Sequence, residues 1–306
     1  MDIPTVTYLV TEEDEGSTMK VFLRKKKGLS RKLLVKMKQE KSIFLNGRFT
    51  YLDHPLHTGD TISIVMQEEE SENIIPEDIS LNIVYEDEDI MVLNKPFGQC
   101  VHPTLLHPSG TLANGVVKYW QEQGFNRKFR AVNRLDKDTT GLLIVAKNQY
   151  AHQQLAIVQR KHEIRRTYEA LVHGMLSDDS GTINAPIARK GESIVERMVS
   201  PVGQEAVTHY EVLARYNQAT HIRLRLETGR THQIRVHMSY LGHPLMGDDL
   251  YGGSREKISR QALHARSLSF PHPRSGEVLS FDADLPEDFL HLIHQLQLWK
   301  DDEYGN

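Results

Sequence analysis

Asn133-Arg134-Leu135-Asp136-Lys137-Asp138-Thr139-Thr140-Gly141 runs straight into Leu142-Leu143-Ile144-Val145-Ala146. The first nine residues read as a polar loop and the last five as an apolar strand, with Gly141 at the junction. A carboxylate at the mouth of a buried strand can be held rigidly while it faces a cleft. Taken alone, such Asp residues also have a blander reading, which is to cap nearby backbone N–H groups.

Outward from this stretch, the alternation predicts strands at Leu81–Tyr85 and Ile90–Leu93, flanking the acidic turn Glu86–Asp89. Further strands are expected at Thr167–His173, Ala206–Ala214, His221–Glu227 and Leu263–Phe270. Helical periodicity falls at Leu112–Gln123, Tyr150–His162, Thr231–Leu241 and Pro286–Trp299. Strands adjacent in sequence imply an α+β fold whose sheet is mixed and largely antiparallel, with helices packed against it.

The front of the chain reads as a separate α+β unit, residues 1–66. Thr18–Lys27 and Ser30–Glu40 are helical, broken by Gly28 and restarted by Ser30 as N-cap. Ser42–Leu45 and Thr61–Met66 are strands, with turns at Asn46-Gly47 and Gly59-Asp60. Lys20–Lys38 carries nine Lys or Arg and no Asp or Glu, whereas Glu68–Asp78 reverses the charge. The segment 67–80 lacks apolar periodicity, contains Pro76, and reads as an acidic linker to a larger unit at 81–306. A local basic patch in a chain of net charge −4 points to a polyanion held by one surface.

Composition excludes several classes. At 306 residues, 39% hydrophobic and 25% charged, the chain has the balance of a soluble two-domain protein. Its apolar runs are far shorter than the roughly 20 residues of a membrane helix. The acidic N-terminus does not resemble an export signal, and the single Cys100 suits a reducing compartment, so a cytoplasmic location is expected. Cys100 itself reads as an inert buried thiol. The 16 His show no convincing ligand spacing, so no metal is expected.

A second constellation is Leu226-Glu227-Thr228-Gly229-Arg230-Thr231-His232-Gln233-Ile234-Arg235-Val236-His237, which passes from a strand through a Gly turn into a helix. Thr231 is the expected N-cap, and Ile234, Met238 and Leu241 the expected buried stripe. His232 and Arg235 stand three apart and share another face, from which an Arg could reach a carboxylate of the Asp136 loop. His232 and His237 do not fit the zinc HExxH spacing.

At these residues the chain resembles the RluA-type RNA pseudouridine synthases. NRLDKDTTGLLIVAKN resembles their HRLDxxTSG signature, and RRTYEALVHG their tyrosine-bearing segment. LETGRTHQIRVHMSYLGHPLMGDDLYG resembles their third motif almost residue for residue. VLNKPFGQCVHP and QALHARSLSFPHPRSGEVLSFDADLP resemble the opening and closing segments, in the usual order, so that the likeness covers roughly Leu81–Leu290. Through GLSR, FLNGR and HTGDTI the front unit resembles the small RNA-binding domain named for a ribosomal small-subunit protein. Three positions depart from the pattern: Asn133 stands for the usual His, Thr140 for Ser and Arg166 for Lys.

The resemblance implies the pseudouridine-synthase fold and an isomerase that detaches uracil from ribose, turns it, and rejoins it through carbon 5 without a cofactor. Asp136 would be the ionised carboxylate, Arg235 its charge partner, and Tyr168 the ring on which the extracted base stacks and an aid to loss of the carbon 5 proton. Flipping a uridine from structured RNA costs a few kcal/mol, and Arg134 matches the position thought to fill the space left. Arg230, His232 and Gln233 are expected to contact substrate, as are Lys25, Lys26 and Arg31 of the basic run. The implied partner is RNA, large-subunit ribosomal RNA before transfer RNA, with no obligate protein partner and a monomeric chain. A non-catalytic RNA-binding or assembly factor of the same fold is the competing class. Asp136, Tyr168 and Arg235 together count against it.

Overall fold

The computed structural model describes residues 5–66 and 74–302. Its first strand, β1 (Thr5–Leu9), is not among the expected ones. Five residues give too short an alternation to stand out, and the partner that makes them a strand lies at the far end of the unit. Thr18 accepts from Val21 N at the start of α1 (Met19–Val21), and Ser30 caps α2 (Arg31–Gln39) as expected, accepting from Leu33 N. Between them Phe22–Lys26 is a π-turn, so the first helical stretch is less regular than its pattern suggests. β2 (Ile43–Leu45) and β3 (Arg48–Phe49) form a hairpin across Asn46-Gly47, and β4 (Thr61–Val65) completes a sheet of order β1-β4-β2-β3. Met19, Phe22, Leu23, Leu33, Leu34 and Ile64 fill a core of its own.

The large sheet has nine strands. β5 (Ile83–Glu86) and β6 (Ile90–Lys95) form the expected hairpin, and α3 (Leu112–Glu122) follows, capped by a reciprocal Thr111–Asn114 box. β7 (Thr140–Ala146), α4 (Gln149–Arg160), β8 (Arg165–His173) and β9 (Ser180–Asn184) come next. A two-stranded ribbon, β10 (Ile187–Arg189) and β11 (Arg197–Val199), precedes β12 (Val207–Tyr216) and β13 (Ala219–Leu226). Then come α5 (Gln233–Tyr240), β14 (Leu263–Pro271), β15 (Val278–Asp282) and α6 (Glu287–Asp302). The order is β5-β6-β7-β14-β8-β13-β12-β9, with β15 also on β14. Among the described residues only β7 and β14 pair in parallel, so the sheet is mixed and mostly antiparallel, as the sequence implies.

β7 lies in the middle and is buried on both faces, which is why it reads as an unbroken apolar run. Leu143 and Val145 join α3, α5 and Tyr168 on one side, whereas Leu142, Ile144 and Ala146 meet Ala151 and Leu155 of α4 on the other. β9, β10, β11 and β15 are not among the expected strands: they are short, and each holds at most one buried residue.

The front unit docks on α4. Tyr8 Oη donates to Tyr150 Oη (2.7 Å), and Gln153 and Gln154 donate to the carbonyls of Gly28 (2.8 Å) and Lys27 (3.0 Å). Arg274, paired with Asp89, gives Nη1 to Thr5 O at 2.7 Å. Of the expected linker, residues 67–73 lie outside the described residues. Ile75 and Glu77 are tied to the start of α3 through Asn114 and Gly110. No helix among the described residues is long and apolar enough to cross a membrane.

Candidate active site

Asp136 sits in the loop that feeds β7, and both ends of that loop are pinned. Ile144 N donates to Asn133 Oδ1 (2.9 Å), and Leu135 is sunk into the main core. Lys95 is almost wholly buried and reaches three carbonyls, those of Pro96 (2.7 Å), Gln99 (2.9 Å) and Lys137 (2.8 Å). Burial pulls its pKa down to about 7 against the pull of Asp138 and Asp136, while the three carbonyls match the three N–H donors of an ammonium. Gly141, at φ +108°, lets β7 meet β14, because a Cβ there would collide with the backbone of Ala265. The loop is therefore a rigid mount, and the Asp136 side chain, 26% exposed, opens into a cleft of about 410 Å³.

Arg235 joins that carboxylate from α5. Its Nη1 donates to Asp136 Oδ2 at 3.1 Å, while Nε and Nη2 fork onto Asp248 at 2.7 and 2.8 Å. Burial opposes its charge, but the hydrogen bonds and charges of Asp248 and Asp136 outweigh burial and raise its pKa above the ordinary value. The ring of Tyr251 lies under the guanidinium, 4.9 Å from centroid to Cζ.

The start of α5 differs from expectation. His232, not Thr231, is the cap residue, and it lies in the left-handed region at φ +57° with no side-chain capping bond. Ile234 and Met238 are buried as expected, but Leu241 is 38% exposed because the helix ends at Tyr240. The unusual backbone turns the imidazole into the site, a placement that carries strain in a non-glycine residue. Arg197 N donates to Tyr251 Oη (3.0 Å), and the same hydroxyl shares a hydrogen bond of 2.8 Å with His232 Nδ1. The other ring nitrogen of His232, Nε2, faces Asp136 Oδ2 at 3.8 Å. Burial lowers the pKa of His232, with Asp136 pulling the other way and Arg235 adding to the fall.

Tyr168, on β8 between β14 and β13, is 5% exposed and lines the cleft. Burial raises the pKa of its phenol, and Arg166, two residues along the same face, lowers it. Arg166 also lines the cleft, and its buried Nε has no hydrogen-bond partner, as does Nδ2 of Asn133. Unsatisfied buried donors are costly in a finished fold and suit a site completed by a ligand.

Other expected residues divide. Arg134 and Arg230 are exposed at the cleft, Arg230 giving Nε to Glu205 O at 2.8 Å. Gln233 spends its amide on the fold: Oε1 accepts from Arg230 N and Thr228 Oγ1, and Nε2 donates to Val207 O and Thr208 Oγ1. It shapes the loop and has nothing left to offer a substrate. Lys25 and Arg31 are exposed, but Lys26 is held by Asp14 at 2.7 Å and Glu13 at 3.3 Å. Cys100 lines the cleft and is only partly buried, and burial raises its pKa, which keeps it a thiol. Among the described residues no group of three or more His, Cys, Asp or Glu is placed to hold a metal ion.

Asp248, Tyr251, Lys95 and Arg166 are the site residues that the sequence reading does not single out as contacts. Asp248 lies between Gly247 and Gly253, and a Cβ on either glycine would collide with backbone, so this turn can close tightly only with glycine at both positions.

Comparison with known proteins agrees with this geometry. The family described as RNA pseudouridylate synthase matches residues 89–240, and the RluD ribosomal pseudouridine synthase N-terminal domain matches residues 7–62. The chain is 45% identical over 269 residues to the uncharacterized RNA pseudouridine synthase YjbO of Bacillus subtilis, covering 87% of this chain and 95% of that one. It is 42% identical over 256 residues to ribosomal large subunit pseudouridine synthase D of Pseudomonas aeruginosa, covering 79% and 80%. The solved human RNA pseudouridylate synthase domain containing 4 superposes with a TM-score of 0.58 at 25% identity, covering 71% of this chain and 93% of that one. The chain thus belongs to the RNA pseudouridine synthases, isomerases, in the branch that carries an RluD-type N-terminal domain.

Proposed function

We propose that this enzyme isomerises uridines in structured large-subunit ribosomal RNA, with Asp136 as the reacting carboxylate. The observation that carries the reading is the Asp136–Arg235 contact of 3.1 Å, at a cleft that Tyr168 lines. In the reaction the bond from uracil N1 to ribose carbon 1 breaks, and one from uracil carbon 5 forms. Carbon 5 loses a proton and N1 gains one, so atoms balance without cofactor, metal or energy source. Asp136 starts the exchange by attacking ribose carbon 1 or by removing a proton from carbon 2. Either route needs a charged carboxylate in a partly dry site, and the Arg235 guanidinium favours that charge. Tyr168 stacks on the released base, worth roughly 1–3 kcal/mol, and assists the late proton loss. Arg134, at the cleft mouth, fills the space the flipped base vacates.

Residues 1–66 act as an RNA-binding unit, 67–80 as its linker and 81–306 as the catalytic unit, in a monomer that needs no protein partner. The target class is supported by the printed names of relatives such as the Pseudomonas aeruginosa protein. Mapping pseudouridines across total RNA from cells with and without the gene tests the reading. Sites lost from large-subunit ribosomal RNA are expected. Losses confined to transfer RNA would overturn the target, and no loss anywhere would overturn catalysis.

A further inference from the structure

Next to the catalytic cleft lies a second cavity of about 330 Å³, and the two share Arg230 and Thr231 as a common wall. Arg189, Arg197 and Arg230 line it, and no Asp or Glu does. Arg189 and Arg197 stand directly opposite each other on the antiparallel ribbon β10–β11. Like charges in that position destabilise a strand pair, and the nearest ribbon carboxylate, Glu196, is already taken by Lys190 at 3.0 Å. Among the described residues the Arg189 side chain makes no hydrogen bond or ion pair. Arg197 gives Nη1 to the carbonyls of Val195 and Glu196, and Arg230 gives only Nε, to Glu205 O. Several guanidinium donors therefore face one small space with nothing of opposite charge in it.

The ribbon is built to stay there. Ile187 and Gln204 exchange backbone hydrogen bonds of 2.8 and 2.9 Å, and Ser200 N donates to Pro186 O at 2.8 Å. Gly203 makes this approach feasible, because a Cβ would collide with the backbone of Ile187. Beneath, Ile187 packs with Ala206 and Val236, and the Arg197 backbone is fixed to Tyr251. A fold that holds two arginines together in a rigid frame has accepted a repulsion that an anion would relieve. Exposed Ile194 and Met198 on the ribbon and Val202 at the rim offer apolar surface of the kind nucleobases use.

We propose that this pocket binds one backbone phosphate of the substrate RNA, at a linkage beside the nucleotide held at Asp136. Guanidinium forks suit phosphate oxygens, and the shared Arg230–Thr231 wall puts the pocket beside the target nucleotide. The inference rests on the RNA reading above, so its test measures binding and conversion separately.

Binding of an unmodified large-subunit ribosomal RNA transcript is measured against salt in an Asp136→Asn background, with and without Arg189→Gln. Losing one phosphate contact should flatten the slope of log K by about 0.7–0.9, and affinity at low salt should fall about tenfold. Arg189→Lys should keep most of the slope. Arg189→Gln without RNA should melt no lower than its parent, since it removes the cross-strand repulsion, and this shows that the fold is intact. An unchanged slope in a folded Arg189→Gln protein overturns the proposal. So does a slope change of the expected size that is also produced by Arg189→Lys. Inorganic phosphate that stabilises the wild type, with no effect of Arg189→Gln on the RNA slope, would make this a free-anion site and overturn it too. If the slope flattens while the wild type converts no uridine in any RNA, the phosphate site stands and the catalytic reading falls.

Discussion

Asp248 takes two of the guanidinium nitrogens of Arg235, at 2.7 and 2.8 Å, and so aims the third at the carboxylate across the cleft. Asp248 is 1% exposed and Arg235 7%, so this pair is a fixed post rather than a surface contact. Removing one partner of a buried pair typically costs roughly 3–5 kcal/mol. Arg235→Ala should lower stability by that order and slow conversion. Asp248→Asn should leave Arg235 in place but loosely aimed, reducing the rate more than RNA affinity. Arg235→Lys should rescue little, because an ammonium cannot fork onto Asp248 and still reach Asp136. Denaturant unfolding and single-turnover conversion check these; a stable, fully active Asp248→Asn enzyme would refute the aiming role.

Asp136→Asn should abolish conversion and leave RNA affinity within a few-fold. Asp138→Asn should stay active, since Asp138 does not line the cleft, its hydrogen bond from Arg260 Nη1 goes to its backbone carbonyl, and its carboxylate acts on the site as a charge near Lys95. Loss of activity at Asp138 with retention at Asp136 would reverse the assignment.

Tyr168→Phe keeps the ring and removes the hydroxyl, whereas Tyr168→Leu removes both. Phe should bind RNA normally and accumulate rejoined base that still holds its carbon 5 proton. Leu should weaken binding of the flipped nucleotide as well, by the roughly 1–3 kcal/mol of a stacked base. Wild-type turnover in Tyr168→Phe would restrict the residue to stacking.

Burial lowers the pKa of several histidines, His232, His237 and His264 among them, while Glu15 raises that of exposed His57, so stability depends on pH with the lowered group in the majority. Partner carbonyls at Ala185 and Ala283 pull His237 and His264 back only in part. A depressed folded pKa means that the unfolded chain binds more protons below about 6.5, so their stabilisation is whole above that value and lost as pH falls. The lowered carboxylates Asp60, Asp87 and Glu169 act in a lower range, below about 4.5. The urea midpoint should therefore fall between about pH 6.5 and 5. His237→Gln should make that fall shallower, and a midpoint flat across the window would contradict the account.

The basic front unit can be tested residue by residue. Lys25 and Arg31 are exposed, whereas Lys26 is occupied by Asp14. Lys25→Gln with Arg31→Gln should flatten the salt slope for RNA by about 1.4–1.8, two contacts at 0.7–0.9 each. Lys26→Gln should change the slope less and lower the melting temperature instead. Equal slope changes from all three would show that Asp14 releases Lys26 to the RNA.

Features that depend on neighbours along the chain were legible in the residues themselves. The run Leu142–Ala146 announced a buried strand, Ser30 announced its helix, and the RLDKDTTG loop placed a carboxylate at a strand mouth. Helical spacing put Arg235 on a face from which it could reach a carboxylate, and the family resemblance named it as the partner of Asp136. The remainder came from contacts between segments distant along the chain. Nothing local in MGDDLYGG says that Asp248 will be shut in by two glycine-permitted turns and clamp Arg235, or that Tyr251 will hydrogen-bond His232. Thr231 looked like a cap because capping is read from residue type, yet the contacts of His232 with Tyr251 and Asp136 hold the backbone in a left-handed turn instead. Gln233 and Lys26 had the chemistry to bind RNA and were claimed by Thr208 and Asp14, partners distant in sequence that only the folded chain brings within reach. A hydrogen bond or ion pair is satisfied by whichever group arrives first in space, and for these residues sequence order does not say which group that is.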